Sequence, residues 1–266
     1  MVLGVIIATV IVGVTGCLIG FFLCFSAEKF KIDVDERETA VLEALPGNNC
    51  GGCGYAGCSG LASAIVKGEA PVNQCPVGGE PVGKEIASIM GVDAGVSVHK
   101  VAYVKCNGTC ENAKTKYEYT GVEDCNAMSF VPGNGPKSCS YGCLGYGSCV
   151  KACPFDAIHI VDGVALVDKE ACKACGKCVV TCPRQIIELI PYQATEMVTC
   201  SNKDKGKAVM DVCSVGCIAC HLCEKNCESD AIHVIDDLAV INQSKCIGCQ
   251  VCVTKCPKKT IQVIGA

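Results

Sequence analysis

The sequence predicts an α+β chain with a single N-terminal transmembrane helix, a small cysteine-bound N-terminal domain and two tandem copies of a cysteine-ligated module. Three observations predict it: no charged side chain lies between Val2 and Phe25, 27 of the 266 residues are cysteine, and the C-terminal half is an internal duplication. The stretch CPFDAIHIVDGVALVDKEACKACGKCVVTCPRQIIELI from Cys153 aligns without a gap onto CESDAIHVIDDLAVINQSKCIGCQVCVTKCPKKTIQVI from Cys227. Every cysteine from Cys139 to Cys182 has a counterpart between Cys213 and Cys256. A period of this kind defines the architecture before any single motif does.

Residues 1–26 form the predicted membrane anchor, since about 20 apolar residues are enough to cross a bilayer as a helix. Met1 to Ile11 carry no lysine or arginine, so the charged n-region of a cleavable export signal is missing. Lys29, Lys31 and Arg37 follow the span and place the bulk of the chain on the cytoplasmic side of the cell membrane. Cys17 and Cys24 then read as small apolar residues of the span. A reducing cytosol leaves the remaining thiols free for metal, and the chain is too long for a secreted disulfide scaffold.

Residues 27–100 hold a stalk helix and the N-terminal domain. Ser26 to Leu45 is charged with an apolar face at Ile32, Val34, Val41, Leu42 and Leu45, and Pro46-Gly47 ends it. Cys50, Cys53, Cys58 and Cys75 follow in a compact glycine-rich unit, then PVGKEIASIMG as a helix and Val98 to Val104 as a short strand. Residues 101–138 connect irregularly, with a turn signal in PGNGP at Pro132 to Pro136. Modules at 139–192 and 193–266 complete the chain, each with a short apolar strand, AIHIV or AIHVI, after a fourth cysteine.

CKACGKCVVTCP from Cys172 and CIGCQVCVTKCP from Cys246 are bacterial-ferredoxin ligand runs: three close thiols, a fourth, then proline. CLGYGSCVKACP from Cys143 and CIACHLCEKNC from Cys217 precede them at similar intervals. In two-cluster ferredoxins the fourth cysteine of each run ligates the other cluster. Carried over, Cys172, Cys175 and Cys178 join Cys153 at one [4Fe–4S] site. Cys246, Cys249 and Cys252 join Cys227 at a second, and Cys217, Cys220 and Cys223 join Cys256 at a third. Tyr146 stands where Cys220 has its counterpart, so one run lacks a ligand. Either Cys139 is recruited, giving Cys139, Cys143, Cys149 and Cys182, or that cluster is incomplete or of another type; Cys213, the aligned residue, has no such vacancy to fill. Glu228 replaces the proline expected after Cys227, which alters a turn but removes no ligand.

The N-terminal quartet Cys50, Cys53, Cys58 and Cys75 is a separate site. Gly51, Gly52, Gly54 and Gly57 let its backbone approach closely and adopt positive φ, and N–H groups near sulfur raise a cluster's reduction potential. Five [4Fe–4S] clusters result, and a sixth has candidates among Cys106, Cys110, Cys125, Cys200 and Cys213. Cys125 and Cys200 precede Cys139 and Cys213 at nearly equal distances, which pairs them in the duplication. Zinc is the competing ligand for paired CxxC motifs and would remove any redox role. The net charge of −4 and pI near 5.6 argue against nucleic acid as a partner. No nucleophile–base pair, phosphate loop or dinucleotide fingerprint is present. Lysines around the second runs, among them Lys169, Lys173, Lys245 and Lys255, offer a face to an acidic electron carrier.

An uncharged span, the quartet CGGCGYAGC…CP and then ferredoxin modules, in that order, resemble the B-subunit family of Rnf complexes, in the longer form with two modules. The resemblance covers essentially the whole chain. It implies an electron-transfer subunit of an ion-translocating ferredoxin:NAD+ oxidoreductase, receiving electrons from soluble ferredoxin and passing them to other Rnf subunits while sodium or protons are exported. NAD+ and flavin would then be bound elsewhere in the complex. Two rival readings are an iron–sulfur subunit of another complex, since the N-terminal quartet also resembles a domain of corrinoid iron–sulfur proteins, and a zinc-stabilised tethered scaffold.

Overall fold

The computed structural model describes residues 2–29, 35–95 and 98–264. Helix α1 (Val2–Lys29) bears no acidic residue in its first turn and ends on Lys29. From Val10 to Phe25 every residue is exposed, with Phe21 and Phe22 among the most open. Among the described residues no helix is long and apolar enough to cross a membrane.

Asp35 starts a separate helix, α2 (Glu36–Ala44), by accepting the Arg37 backbone N–H at 2.9 Å, an N-cap. The expected stalk therefore ends in an independent element, and its middle, 30–34, lies outside the described residues. Helices α3 (Cys58–Val66) and α4 (Gly79–Met90) pack with α2 around Val41, Leu61, Ile65 and Ile86. The predicted face at Val41 and Leu45 is thus core of the N-terminal domain. Left-handed Gly91 ends α4, the conformation glycine adopts most readily at this position.

The chain then runs through β1 (Lys100–Val104), α5 (Ser148–Ala152), β2 (Ile158–Val161), β3 (Val164–Val167), α6 (Lys177–Thr181), β4 (Ile187–Pro191) and β5 (Glu196–Val198). It continues through α7 (Gly206–Val212), α8 (Leu222–Lys225), β6 (Ile232–Ile235), β7 (Leu238–Ile241), α9 (Val251–Lys255) and β8 (Ile261–Val263). Four two-stranded antiparallel sheets result: the hairpins β2–β3 and β6–β7, and the long-range pairs β1–β4 and β5–β8. The pairs repeat in register. Val104 lies opposite Ile187 as Val198 lies opposite Ile261, and Ala102 opposite Leu189 as Glu196 opposite Val263.

The register moves the start of the first copy. A module beginning at 139 would omit β1, yet β1 forms half of that copy's terminal sheet. Residues 107–138, between this strand and the rest, carry an insertion of 20 residues relative to 201–212 of the second copy. Cys139 follows Cys106 by 33 positions, whereas Cys213 follows Cys200 by only 13. The inserted stretch is irregular, with 3-10 turns at Ala127–Phe130 and Pro132–Asn134, where the PGNGP signal placed a turn.

Thiols are part of the cores. Val101, Val104, Ile158, Ile187 and Ile190 pack with Cys143, Cys149, Cys172 and Cys178 in the first module. Val198, Ile232, Leu238 and Ile261 pack with Cys200, Cys217 and Cys223 in the second.

Candidate metal centres

Each ligand run curls through two left-handed residues that flank its middle position. Ala174 (φ 52°) and Gly176 (φ 76°) bracket Cys175; Ala219 (φ 52°) and His221 (φ 58°) bracket Cys220; Gly248 (φ 72°) and Gln250 (φ 58°) bracket Cys249. A non-glycine residue in this region costs about 1–3 kcal/mol, and it is kept only where the surroundings over-determine it. The fourth cysteines share a second device. Asp156, Gln185, Asp230 and Lys259, each three positions on, are left-handed. The next N–H then turns back onto sulfur: Ala157 onto Cys153 Sγ at 3.4 Å, Ala231 onto Cys227 Sγ at 3.3 Å and Thr260 onto Cys256 Sγ at 3.3 Å. The turn after Cys227 therefore survives the Glu228 substitution.

Four cavities are walled by four or more of these thiols. One has Cys153, Cys172, Cys175 and Cys178, with the Ala102 N–H donating to Cys172 Sγ at 3.4 Å. A second has Cys217, Cys220, Cys223 and Cys256. Both are sets that the ferredoxin pattern predicts. Burial, then the charge of neighbouring thiols in the same set, pushes Cys178 up to about 12 and Cys223 up to about 11.

The third cavity is lined by Cys125, Cys143, Cys149 and Cys182. Cys139, the residue expected to complete this set, lies in the wall of a different cavity. Cys125 comes from the insertion and is fixed by its N–H donating to Ser148 Oγ at 2.8 Å. Burial raises Cys149 to about 12, with Cys143, Cys125 and Cys182 as the thiol neighbours adding to it. Around Tyr146 the loop is that of the other runs, with Gly145 (φ 84°) and Gly147 (φ 73°) left-handed. The Tyr146 ring instead meets Tyr119 edge-on, 5.9 Å between centroids.

The fourth cavity lies where the two copies meet, walled by Cys106, Cys139, Cys200 and Cys213, with Cys143 also on its lining. Cys106 and Cys139 belong to the first copy, Cys200 and Cys213 to the second. The local hydrogen bonding repeats. Gly108 and Cys143 N–H groups donate to Cys106 Sγ at 3.4 and 3.3 Å, and Asn202 and Cys217 N–H groups donate to Cys200 Sγ at 3.4 Å each. The duplicate of Cys200 is therefore Cys106, and the expected pairing of Cys125 with Cys200 is overturned. The insertion between Cys106 and Cys139 hid this match, although YVKCNG and MVTCSN carry it. Cys110 is exposed and lines none of the four cavities.

Cys246, Cys249 and Cys252 sit together beside a fully buried carboxyl. Burial, then Glu196, then Cys246 and Cys249 push Cys252 up to about 11, and Cys227 packs in the same apolar cluster as Cys252. Glu196 Oε2 accepts from Thr195 Oγ1 at 2.6 Å and from Cys246 Sγ at 3.5 Å, while Oε1 has no partner among the described residues. The register sets Glu196 where the first copy has Ala102, a difference that no cysteine pattern signals. In the N-terminal domain, Asn49 Oδ1 accepts the Cys58 N–H at 2.8 Å and starts α3. The Gly78 N–H donates to Cys75 Sγ at 3.4 Å. Burial raises Cys75, with Cys53 and Cys50 adding to it.

Among the described residues no three Cys, His, Asp or Glu side chains close on a single metal ion. Around one zinc, with Zn–S near 2.3 Å, sulfurs stand less than about 4 Å apart. In four of the sets the thiols line a cavity instead, an arrangement that suits a polynuclear iron–sulfur group.

Comparison with known proteins agrees with this donor chemistry. A family model for an Fe-S cluster domain matches residues 45–77, and two described as 4Fe-4S binding domains match 164–187 and 239–262. The chain is 47% identical to the B subunit of the Na(+)-translocating ferredoxin:NAD(+) oxidoreductase complex of Acetobacterium woodii, over 88% of this chain and 71% of that one. It is 43% identical to the B subunit of the ion-translocating oxidoreductase complex of Methanosarcina acetivorans, over 86% and 87% of the two chains. It is 41% identical to the B subunit of the proton-translocating ferredoxin:NAD(+) oxidoreductase complex of Clostridium ljungdahlii, over 90% and 85%. With cysteine-walled cavities and relatives of this length and identity, the chain belongs to the B-subunit family of Rnf, the ion-translocating oxidoreductase complexes.

Proposed function

We propose that this chain conducts electrons from reduced soluble ferredoxin to the other subunits of an Rnf complex, held at the cell membrane by α1 with its cysteine domains on the cytoplasmic side. The observation that carries the reading is the series of thiol quartets along the chain. Cys50, Cys53, Cys58 and Cys75 hold the first site. Cys153, Cys172, Cys175 and Cys178 hold the next, followed by Cys125, Cys143, Cys149 and Cys182. Cys106, Cys139, Cys200 and Cys213 form the junction between copies. Cys217, Cys220, Cys223 and Cys256 and then Cys227, Cys246, Cys249 and Cys252 complete the set. A [4Fe–4S] cluster supplies one-electron chemistry at a potential that the protein tunes over about −700 to +450 mV.

The residues do three things for such groups. They exclude water, because most of these sulfurs sit in or against apolar cores. They aim backbone N–H groups at sulfur, which favours the reduced state. They also connect neighbouring sites: Cys143 and Cys217 are ligands of flanking quartets, and their N–H groups donate to Cys106 and Cys200 of the junction. The exposed apolar surface of α1 supports its role as anchor, since contiguous apolar patches of this kind need lipid or a partner to cover them.

Iron and acid-labile sulfide per chain, with EPR of the anaerobically purified, dithionite-reduced protein, tests the reading. Six quartets bind roughly 24 irons, four to each cluster. Zinc in place of iron would overturn the conducting role, and roughly 20 irons, unchanged by Cys213→Ala, would remove the junction site.

A further inference from the structure

Lys137 is the one lysine among the described residues that is buried, at 7% exposure. Its Nζ donates to Gly108 O and Gly163 O at 2.8 Å each, so its place is fixed by two backbone carbonyls. It takes part in no ion pair among the described residues. A buried cation without a carboxylate is costly unless other negative charge faces it. What faces Lys137 is the cavity walled by Cys106, Cys139, Cys200 and Cys213, whose lining it shares.

The two copies contribute two thiols each to this quartet but contribute unequally to its charge. Two positions before Cys139 stands Lys137; two positions before Cys213 stands Asp211, exposed on α7. The junction is therefore near-symmetric in ligands and carries one uncompensated positive charge on the side of the first copy.

We infer that Lys137 is the built-in counter-ion of the junction site and holds the reduction potential of its cluster above that of the other clusters in the two modules. The inference rests on the proposal that this quartet binds a cluster. Reduction adds one electron and no proton, so the site becomes more negative by one charge. A fixed cation in a water-poor cavity stabilises that state more than the oxidised one. Electrons entering either module would then collect at the junction before moving on.

The test is an EPR-monitored redox titration of the purified full chain, with iron counted in each variant. Lys137→Arg keeps the charge; Lys137→Gln keeps N–H donors for the two carbonyls and removes it. The junction component is the one that Cys213→Ala abolishes. Expected are a lowered midpoint for that component in Lys137→Gln alone, an unchanged midpoint in Lys137→Arg, and a full iron complement in both. Loss of about four irons in Lys137→Gln but not in Lys137→Arg also supports a requirement for the charge. An unchanged midpoint in Lys137→Gln, or equal iron loss in both variants, overturns the inference and leaves a carbonyl clamp. Only about five clusters in the unmodified chain would defeat the underlying site assignment instead.

Discussion

At the residue scale the decisive exchange is between two cysteines. The ligand-run pattern exposes the gap at Tyr146 but cannot name its filler, because a residue from an insertion has no repeat to be aligned with. Cys139, close in sequence, lines the junction cavity; Cys125, distant in sequence, lines the cavity with the gap. Cys125→Ala and Cys139→Ala should each lower iron by about four per chain, and the double variant by about eight. A double variant that loses no more than either single would mean that both thiols serve one cluster. The thiols also set how the cluster-free chain responds to pH. Unfolded cysteine titrates near 8.5, whereas burial holds Cys149, Cys178 and Cys200 near 12 in the folded chain. As pH rises past 8.5 the unfolded state releases these protons first, so the folded state binds more, and stability falls with pH until about 12. Chemical denaturation of the iron-free protein at pH 7.5 and pH 10 should therefore give a lower midpoint at the higher pH. Equal midpoints would mean that these thiols titrate alike in the folded and unfolded chain.

At the element scale the ligand loop keeps its shape when a ligand is lost. Gly145 and Gly147 preserve the two left-handed positions around Tyr146 that surround Cys175, Cys220 and Cys249 elsewhere. Tyr146→Cys should thus restore a working fourth thiol with no backbone change, and placed in the Cys125→Ala background it should recover the lost irons. Failure of that rescue, with Tyr146→Cys alone fully loaded, would show that the loop no longer presents its middle side chain inward. Loops of this kind were legible in the sequence because metal ligation fixes both spacing and residue type. So were the hairpins: AIHIV and AIHVI became β2 and β6, each turning straight into its partner strand. The long-range sheets were not legible. Strand β1 pairs with β4, Val104 opposite the distant Ile187, and nothing local to KVAYV records which partner it takes. The same separation concealed that Cys106 repeats as Cys200. Glu196 and Lys137 were missed for a different reason, since a buried charge is recognisable only by what surrounds it.

At the scale of the whole molecule, a conductor requires its domains to touch at the right places, and the N-terminal domain touches the first module through a glycine. An ideal Cβ on Gly52 would lie 2.5 Å from the Cys175 carbonyl oxygen and 3.0 Å from its carbonyl carbon. No side chain fits between these backbones. Gly52 sits between Cys50 and Cys53 of the N-terminal quartet, and Cys175 belongs to the first quartet of the module, so the contact joins the walls of two adjacent sites. The charge of Cys50 already adds to the burial that raises Cys175. Gly52→Ala must push the two backbones apart, and overpacking of this kind typically costs about 1–3 kcal/mol. Both quartets stay intact, so the iron content should be unchanged. What should weaken is the magnetic interaction between the two reduced clusters, together with the rate at which the N-terminal cluster equilibrates with the first module after rapid mixing with dithionite. Gly54→Ala is the control, because Gly54 is left-handed (φ 89°) yet has nothing within 4 Å of its Cβ position. If both variants lose coupling equally, the effect comes from strain within the loop; if only Gly52→Ala does, the close approach to Cys175 is what couples the N-terminal domain to the rest of the chain.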